Sequence, residues 1–361
     1  MNRRNATLGV ATIGVVAGAV GLGFLAAPGA GAGQSPTLPS TTPAALVQSV
    51  LTASPPAMAG TVEIDNNLGL PAIPGLPSQL SGGTSQIRVW TDGTGRTRLS
   101  IPAPSSEETL VNDGTTLYDW NSTTRTVTEH HVGAAADKTK KAPAGTSTQD
   151  LNPATAAKQV VSAVQQVSTV TVDGTDVVAN RPAYDLVLTP KANQRTLLRQ
   201  VRIAVDAQTR IPLRLTVLAN NTDTPAIQVG FSSLNVGAQD PSLFRFTVPA
   251  GATVTNGDKT DQKSATMAGQ VAPTVVGNGW ETVLVAQVPT STSGQSGQSD
   301  KNGSSSMLGL VQQFGKPVSG TWGSGWLFST NVGNAIITSD GRVAAGFVPQ
   351  QLLTKALGST K

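Results

Sequence analysis

The chain contains no cysteine and only two histidines in 361 residues, and charged residues make up 13% of it and aromatics 4%. Without cysteine there are no disulfides, thiolate metal sites, cysteine nucleophiles or acylated N-terminal cysteine. His130 and His131 are neighbours on a strand candidate and so point to opposite faces, which keeps them from sharing one metal ion. No HExxH spacing, P-loop or G-x-S-x-G elbow occurs, and the glycine cluster "GAVGLG" falls in an N-terminal apolar run where no strand of a nucleotide fold precedes it. Glu107 and Glu108 are adjacent on a strand and face oppositely, as on a solvated edge. Asp173 and Asp176 in "VDGTD" read as turn formers, with too few oxygens for calcium. Trp280, Trp322 and Trp326 read as core or interface residues rather than a carbohydrate platform. The formal charge of +4 falls to +2 once Arg3 and Arg4 are set aside, too near neutrality for nucleic acid. The expectation is a protein that is not an enzyme and holds no cofactor or metal.

What is abundant is Thr, Val, Gly and Pro, the composition of strands joined by short turns. The N-terminus opens on "MNRR", followed by an uncharged run and an Ala30-x-Ala32 pattern before Gly33. This reads as a signal peptide over 1–32, with an uncleaved anchor as the alternative, since the run reaches the ~20 residues that span a bilayer. Either way the remainder is expected outside the cytoplasmic membrane, secreted or in the cell envelope.

Residues 33–42 form a Pro/Ser/Thr spacer. "PAALVQSVLTA" (43–53) predicts a helix with Ala44, Val47, Val50 and Leu51 on one apolar face. Strands follow, with "DGTG" and "NDG" as hairpin turns. A second helix is expected over 152–168, and four further strand runs lead to "PSLFRFTVPAGATV", which closes a first domain, 43–255. With no crossover helices between strands, the economical sheet is antiparallel. A linker over 256–270 leads to a small α+β domain over 271–361. That domain carries a low-complexity insertion at 290–306, a helix "SMLGLVQQF", three strands and a terminal helix "PQQLLTKAL".

One segment resists this scheme. "NNLGLPAIPGLPSQLSGG" (66–83) has three prolines and four glycines, which forbid regular structure, yet carries Leu68, Leu70, Ile73, Leu76 and Leu80 and no charge. An apolar loop of this kind leaves an exposed patch unless it covers something. It is expected to act as a lid over a cavity lined by Val62, Ile64, Ile87, Val89, Leu99 and Ile101, a cavity suited to an acyl chain. The pattern alone leaves open whether these residues fill an ordinary core instead.

Three motifs carry a resemblance. "ETLVNDGTTLYDWNSTTRTVT" resembles a strand–turn–strand segment of LolA-type lipoprotein carriers, "YDLVLTPKANQRTLLRQVRIAVD" their "LTPK" strand, and "DPSLFRFTVPAGATV" their closing signature; the three stand in register across 43–255. "GSGWLFST" and "RVAAGFVPQQLLTKAL" resemble parts of the second domain of RseB/MucB-type envelope-stress regulators. The chain is identified as an exported LolA-like/RseB-MucB-like member of the actinobacterial type. The resemblance implies a mainly β, α+β fold: an antiparallel open half-barrel capped by helices and an apolar loop, holding lipid or lipoprotein acyl chains. It implies carriage across the envelope or, alternatively, lipid sensing coupled to a membrane anti-sigma factor through the C-terminal domain. Carriers control lid opening with an arginine after the second strand; Arg96 and Arg98 stand in that neighbourhood without the local motif.

Overall fold

The computed structural model describes residues 36–68, 82–103, 106–131, 161–220, 222–257, 274–287 and 314–360. One helix, α1 (Pro43–Thr52), opens the described chain. Pro43 stands in its first turn, and Thr42 accepts the Ala45 N–H at 3.2 Å as N-cap. Its buried face is Leu46, Val47 and Val50, with Ala44 exposed. The expected stripe through Ala44 is therefore rotated onto Leu46, which has the larger apolar side chain to bury.

Twelve strands build the first unit. They are β1 (Met58–Asn66), β2 (Gly83–Thr91), β3 (Thr97–Ala103), β4 (Ser106–Asn112), β5 (Thr116–Asn121), β6 (Thr126–His131), β7 (Ser168–Val178), β8 (Arg181–Pro190), β9 (Leu198–Asp206), β10 (Pro212–Ala219), β11 (Pro225–Val236) and β12 (Thr253–Asn256). They form two six-stranded ladders, β1-β11-β10-β9-β8-β7 and β2-β3-β4-β5-β6-β12, that meet where β1 packs beside β2. Every pairing is antiparallel except β12 with β6, which is parallel. The result is the expected open half-barrel. Turn chemistry fixes its registers: Ala179 and Asn180, both at positive φ, close the two-residue β7–β8 turn, and Gly114 takes φ +100 in "NDG".

The two faces of the sheet differ in chemistry. Outside, charges pair across strands: Arg202 with Asp173 at 2.7 Å and with Asp185, Arg214 with Asp176, and Thr84 Oγ1 donating to Asp65 at 2.6 Å. Asp173 and Asp176 are thus strand residues, the first within a bulge in β7 and the second just past it, not turn formers. Inside, Leu186, Leu188, Ile203, Val229 and Phe231 are fully buried beneath α1 and the helical turn carrying Val161 and Val164. Of the helix expected over 152–168, residues 161–164 are helical, Gln165–Val167 are a 3₁₀ turn, and the earlier ones lie outside the described residues.

The second unit is a six-stranded sheet in the order β13-β14-β18-β17-β16-β15, comprising β13 (Thr274–Val276), β14 (Val283–Gln287), β15 (Lys316–Gly320), β16 (Gly323–Ser329), β17 (Asn334–Thr338) and β18 (Arg342–Gly346). Helix α2 (Gln350–Ser359) packs Leu352, Leu353, Ala356 and Leu357 on one face, against Val283, Val285, Ile336 and Ala344. Trp322 is buried there. The insertion at 290–306 and the "SMLGLVQQ" stretch lie outside the described residues. Two side chains of this unit, Trp280 and Val332, belong to the core of the first. Trp280 Nε1–H donates to Ser168 Oγ at 2.8 Å, and the Leu197 N–H donates to the Phe347 carbonyl at 2.9 Å.

Candidate functional site

The alternation of β1 to β3 sends one side-chain set inward. Val62, Leu68, Ile87, Val89 and Leu99 are buried in a single cluster, with Ile64 and Ile101 partly buried against it. Leu70, Ile73, Leu76 and Leu80 lie outside the described residues. Register continues this inner face across the sheet: Val89 opposes Leu99, Leu99 opposes Leu110, and Leu110 opposes Asp119.

Burial falls off along this face. It is complete beneath α1, whereas Ile64, Ile101 and Leu110 keep part of their surface accessible. Beyond Leu110 the wall turns polar. Glu108 opposes Ile101 on one side and Asn121 on the other, and Asp119 opposes Thr128. Burial, then the charge of Asp119, pushes the Glu108 carboxyl above the usual range. Burial raises Asp119 as well, against the pull of His130. No lysine or arginine among the described residues pairs with either carboxylate.

The expectation of a solvated Glu107–Glu108 edge therefore holds only for the exposure of Glu107, since Glu108 is half-buried and the strand is not an edge. Strand β4 lies inside its ladder between β3 and β5. Glu107 sits on the outer face, where it accepts from Ser100 Oγ at 2.5 Å, and the acidic neighbours are Glu108 and Asp119 on the inner one. Register, which a single sequence leaves unassigned, brings those two together; alternation along "TLYDW" was the available signal. His131 does point away from His130, and among the described residues no group of three or more His, Cys, Asp or Glu is placed to hold a metal ion.

Arg96 and Arg98 do not reach the inner face. Arg96 pairs with Asp92 at 2.6 Å and lies 5.5 Å from the Phe244 ring, and Arg98 donates to the Leu243 carbonyl at 3.4 Å. Both fasten the segment 237–252 across the outer face, where Phe246 stacks on Tyr118 at 5.0 Å.

No family model and no curated protein matches the chain. Among solved structures, the MucA/MucB complex of Pseudomonas aeruginosa is similar over 86% of this chain and 94% of that one, at 16% identity and a TM-score of 0.45. A LolA superfamily protein from Nitrosomonas europaea is similar over 57% of this chain and 99% of its own, at 11% identity and 0.26. A putative outer membrane lipoprotein-sorting protein domain from Vibrio parahaemolyticus covers 56% and 94%, at 7% and 0.22. These names fall in the group that the sequence motifs resemble. At identities of 16% and below and TM-scores of 0.45 and below these likenesses assign no role, and what the concavity holds is decided by this chain's own side chains.

Proposed function

We propose that the half-barrel binds the acyl chain of a lipid or lipoprotein against the inner face of β1 to β4, and that the exported protein carries it across the cell envelope without catalysis. The observation that carries this reading is the set Ile64, Ile101 and Leu110: three large aliphatic side chains on one wall, continuous with the core yet incompletely covered by any described residue. Full burial of such a side chain is worth about 1.5–3 kcal/mol and these three are already partly buried, so only their accessible remainder is left to gain; most of the binding energy comes from the acyl chain's own methylenes, at about 0.8 kcal/mol each. Leu70, Ile73, Leu76 and Leu80 complete the cover in this reading, as a lid rooted at Leu68.

The test is the affinity of delipidated protein for a fluorescent acyl probe. Ile101→Asp places a charge on the wall and should cost at least tenfold in Kd while the fold persists by circular dichroism. Unchanged affinity in Ile101→Asp would reject the site.

A second reading adds a membrane protein, such as an anti-sigma factor, as partner of the second unit. It is favoured by the insertion of Val332 into the first unit's core beside Leu68, which gives an event on one unit a path to the other. Retention of a detergent-solubilised single-span envelope protein by the full chain, in a lipid-dependent manner, would separate regulation from carriage.

A further inference from the structure

The apolar wall ends at two carboxylates that the acyl reading leaves without a role. Glu108 stands on β4 and Asp119 on β5, one diagonal apart on the inner face; on that face Ile101 of β3, Asn121 and Leu117 of β5, and Thr128 and His130 of β6 are their neighbours. The strand registers place Glu107, Tyr118, Glu129 and His131 on the opposite face. His130 is thus the one group able to carry positive charge among the described residues facing the pair, and its ring packs on Gly257. Buried carboxylates are ordinarily paired with a cation. Here the charge stands half-buried, next to the most accessible aliphatic residues of the wall.

We propose that Glu108 and Asp119 are a charge filter on the concavity, which admits neutral amphiphiles and turns away anionic ones; the proposal rests on the acyl-binding reading above. The physical basis is the range of Coulomb repulsion in a partly desolvated groove, where an anionic head group beside Leu110 meets two negative charges with little screening. A neutral head group meets hydrogen-bond acceptors instead. Both carboxyl groups hold their protons above the usual carboxylate range, so acidification lifts the filter before ordinary surface carboxylates titrate.

The test uses the full exported chain and two ligands of equal tail length, 1-monododecanoylglycerol and dodecylsulfonate, whose charge does not titrate. Displacement of a bound fluorescent acyl probe gives both affinities. Wild type at pH 7.5 is expected to prefer the glyceride by about tenfold, equivalent to about 1.4 kcal/mol. The preference should shrink at pH 5, vanish in Glu108→Gln/Asp119→Asn at pH 7.5, and persist in Glu107→Gln on the outer face. Should the double variant misfold, each single variant is expected to halve the logarithm of the preference. An undiminished preference in the folded variants, or equal affinities in wild type, overturns the filter while leaving the acyl site standing. Binding of neither ligand at either pH overturns the acyl reading itself, and the filter with it.

Discussion

The backbone N–H of Asn331, in the turn between β16 and β17, donates to the carbonyl oxygen of Leu68 at 3.3 Å. Its side-chain Nδ2 donates to the Asn67 carbonyl at 3.2 Å, and its neighbour Val332 is 1% exposed in the first unit's core. The second unit therefore holds the residue from which the apolar stretch departs.

Val332→Ala should on this basis cost about 2 kcal/mol, although Val332 belongs to the second unit. In urea unfolding followed by intrinsic fluorescence, one transition should shift as a whole. Two transitions, with only that of the second unit moving, would show that the units are not energetically joined.

Asp206 supplies a pH dependence of known sign. It is fully buried and accepts from Arg181 Nε at 2.5 Å, from the Gln208 N–H at 3.0 Å and from the Thr209 N–H at 2.6 Å. Burial pulls its carboxyl upward, but the bonds from Arg181 and Thr209 outweigh this and hold it below the usual carboxylate range. A depressed folded value means stability that is present above the unfolded value of about 3.9 and lost as pH falls through the folded one. Asp206→Asn should cost about 3 kcal/mol at pH 7 and flatten the acid limb of a stability–pH profile.

Glu108 and Asp119 have the opposite sign. Their raised values contribute stability that is complete below the unfolded carboxylate value and lost as pH rises through the folded one. Glu108→Gln/Asp119→Asn should accordingly unfold at higher denaturant than wild type at pH 7.5, and the difference should disappear at pH 4. A variant less stable at pH 7.5 would mean that a cation outside the described residues satisfies the pair.

Much of this architecture was legible from pattern alone. Alternation in "QIRVW" and the turns "DGTG" and "NDG" place Ile87, Val89 and Leu99 on the inner face where the structure has them. Pro43 marks the start of α1. What pattern could not supply was pairing over distance. Val332 and Trp280 read locally as part of a separate unit, and only tertiary packing puts them in the first unit's core. Glu108 and Asp119 meet because β4 pairs β5 in one register out of several, and "EE" in the sequence drew attention to the wrong neighbour. Asp173 and Asp176 look like turn residues because Asp173 shares a bulge with Gly174, yet both belong to ion pairs of the outer face.

The loop can be tested independently of the wall. Leu70→Ser/Ile73→Ser/Leu76→Ser removes three aliphatic side chains, each worth about 1.5–3 kcal/mol when buried. If they close over an acyl chain, probe affinity should fall by more than tenfold with the apo protein's thermal midpoint nearly unchanged. A lowered midpoint with no affinity to lose would make them ordinary packing.

The central claim is that an acyl chain occupies the inner face of β1 to β4, and native mass spectrometry of the full chain, purified without detergent and never delipidated, tests it most directly. The account predicts a mass excess that organic extraction removes and that tandem fragmentation resolves into acyl chains, greatly reduced in Ile101→Asp. A bare polypeptide mass for folded wild type, unchanged after incubation with 1-monododecanoylglycerol, would contradict it.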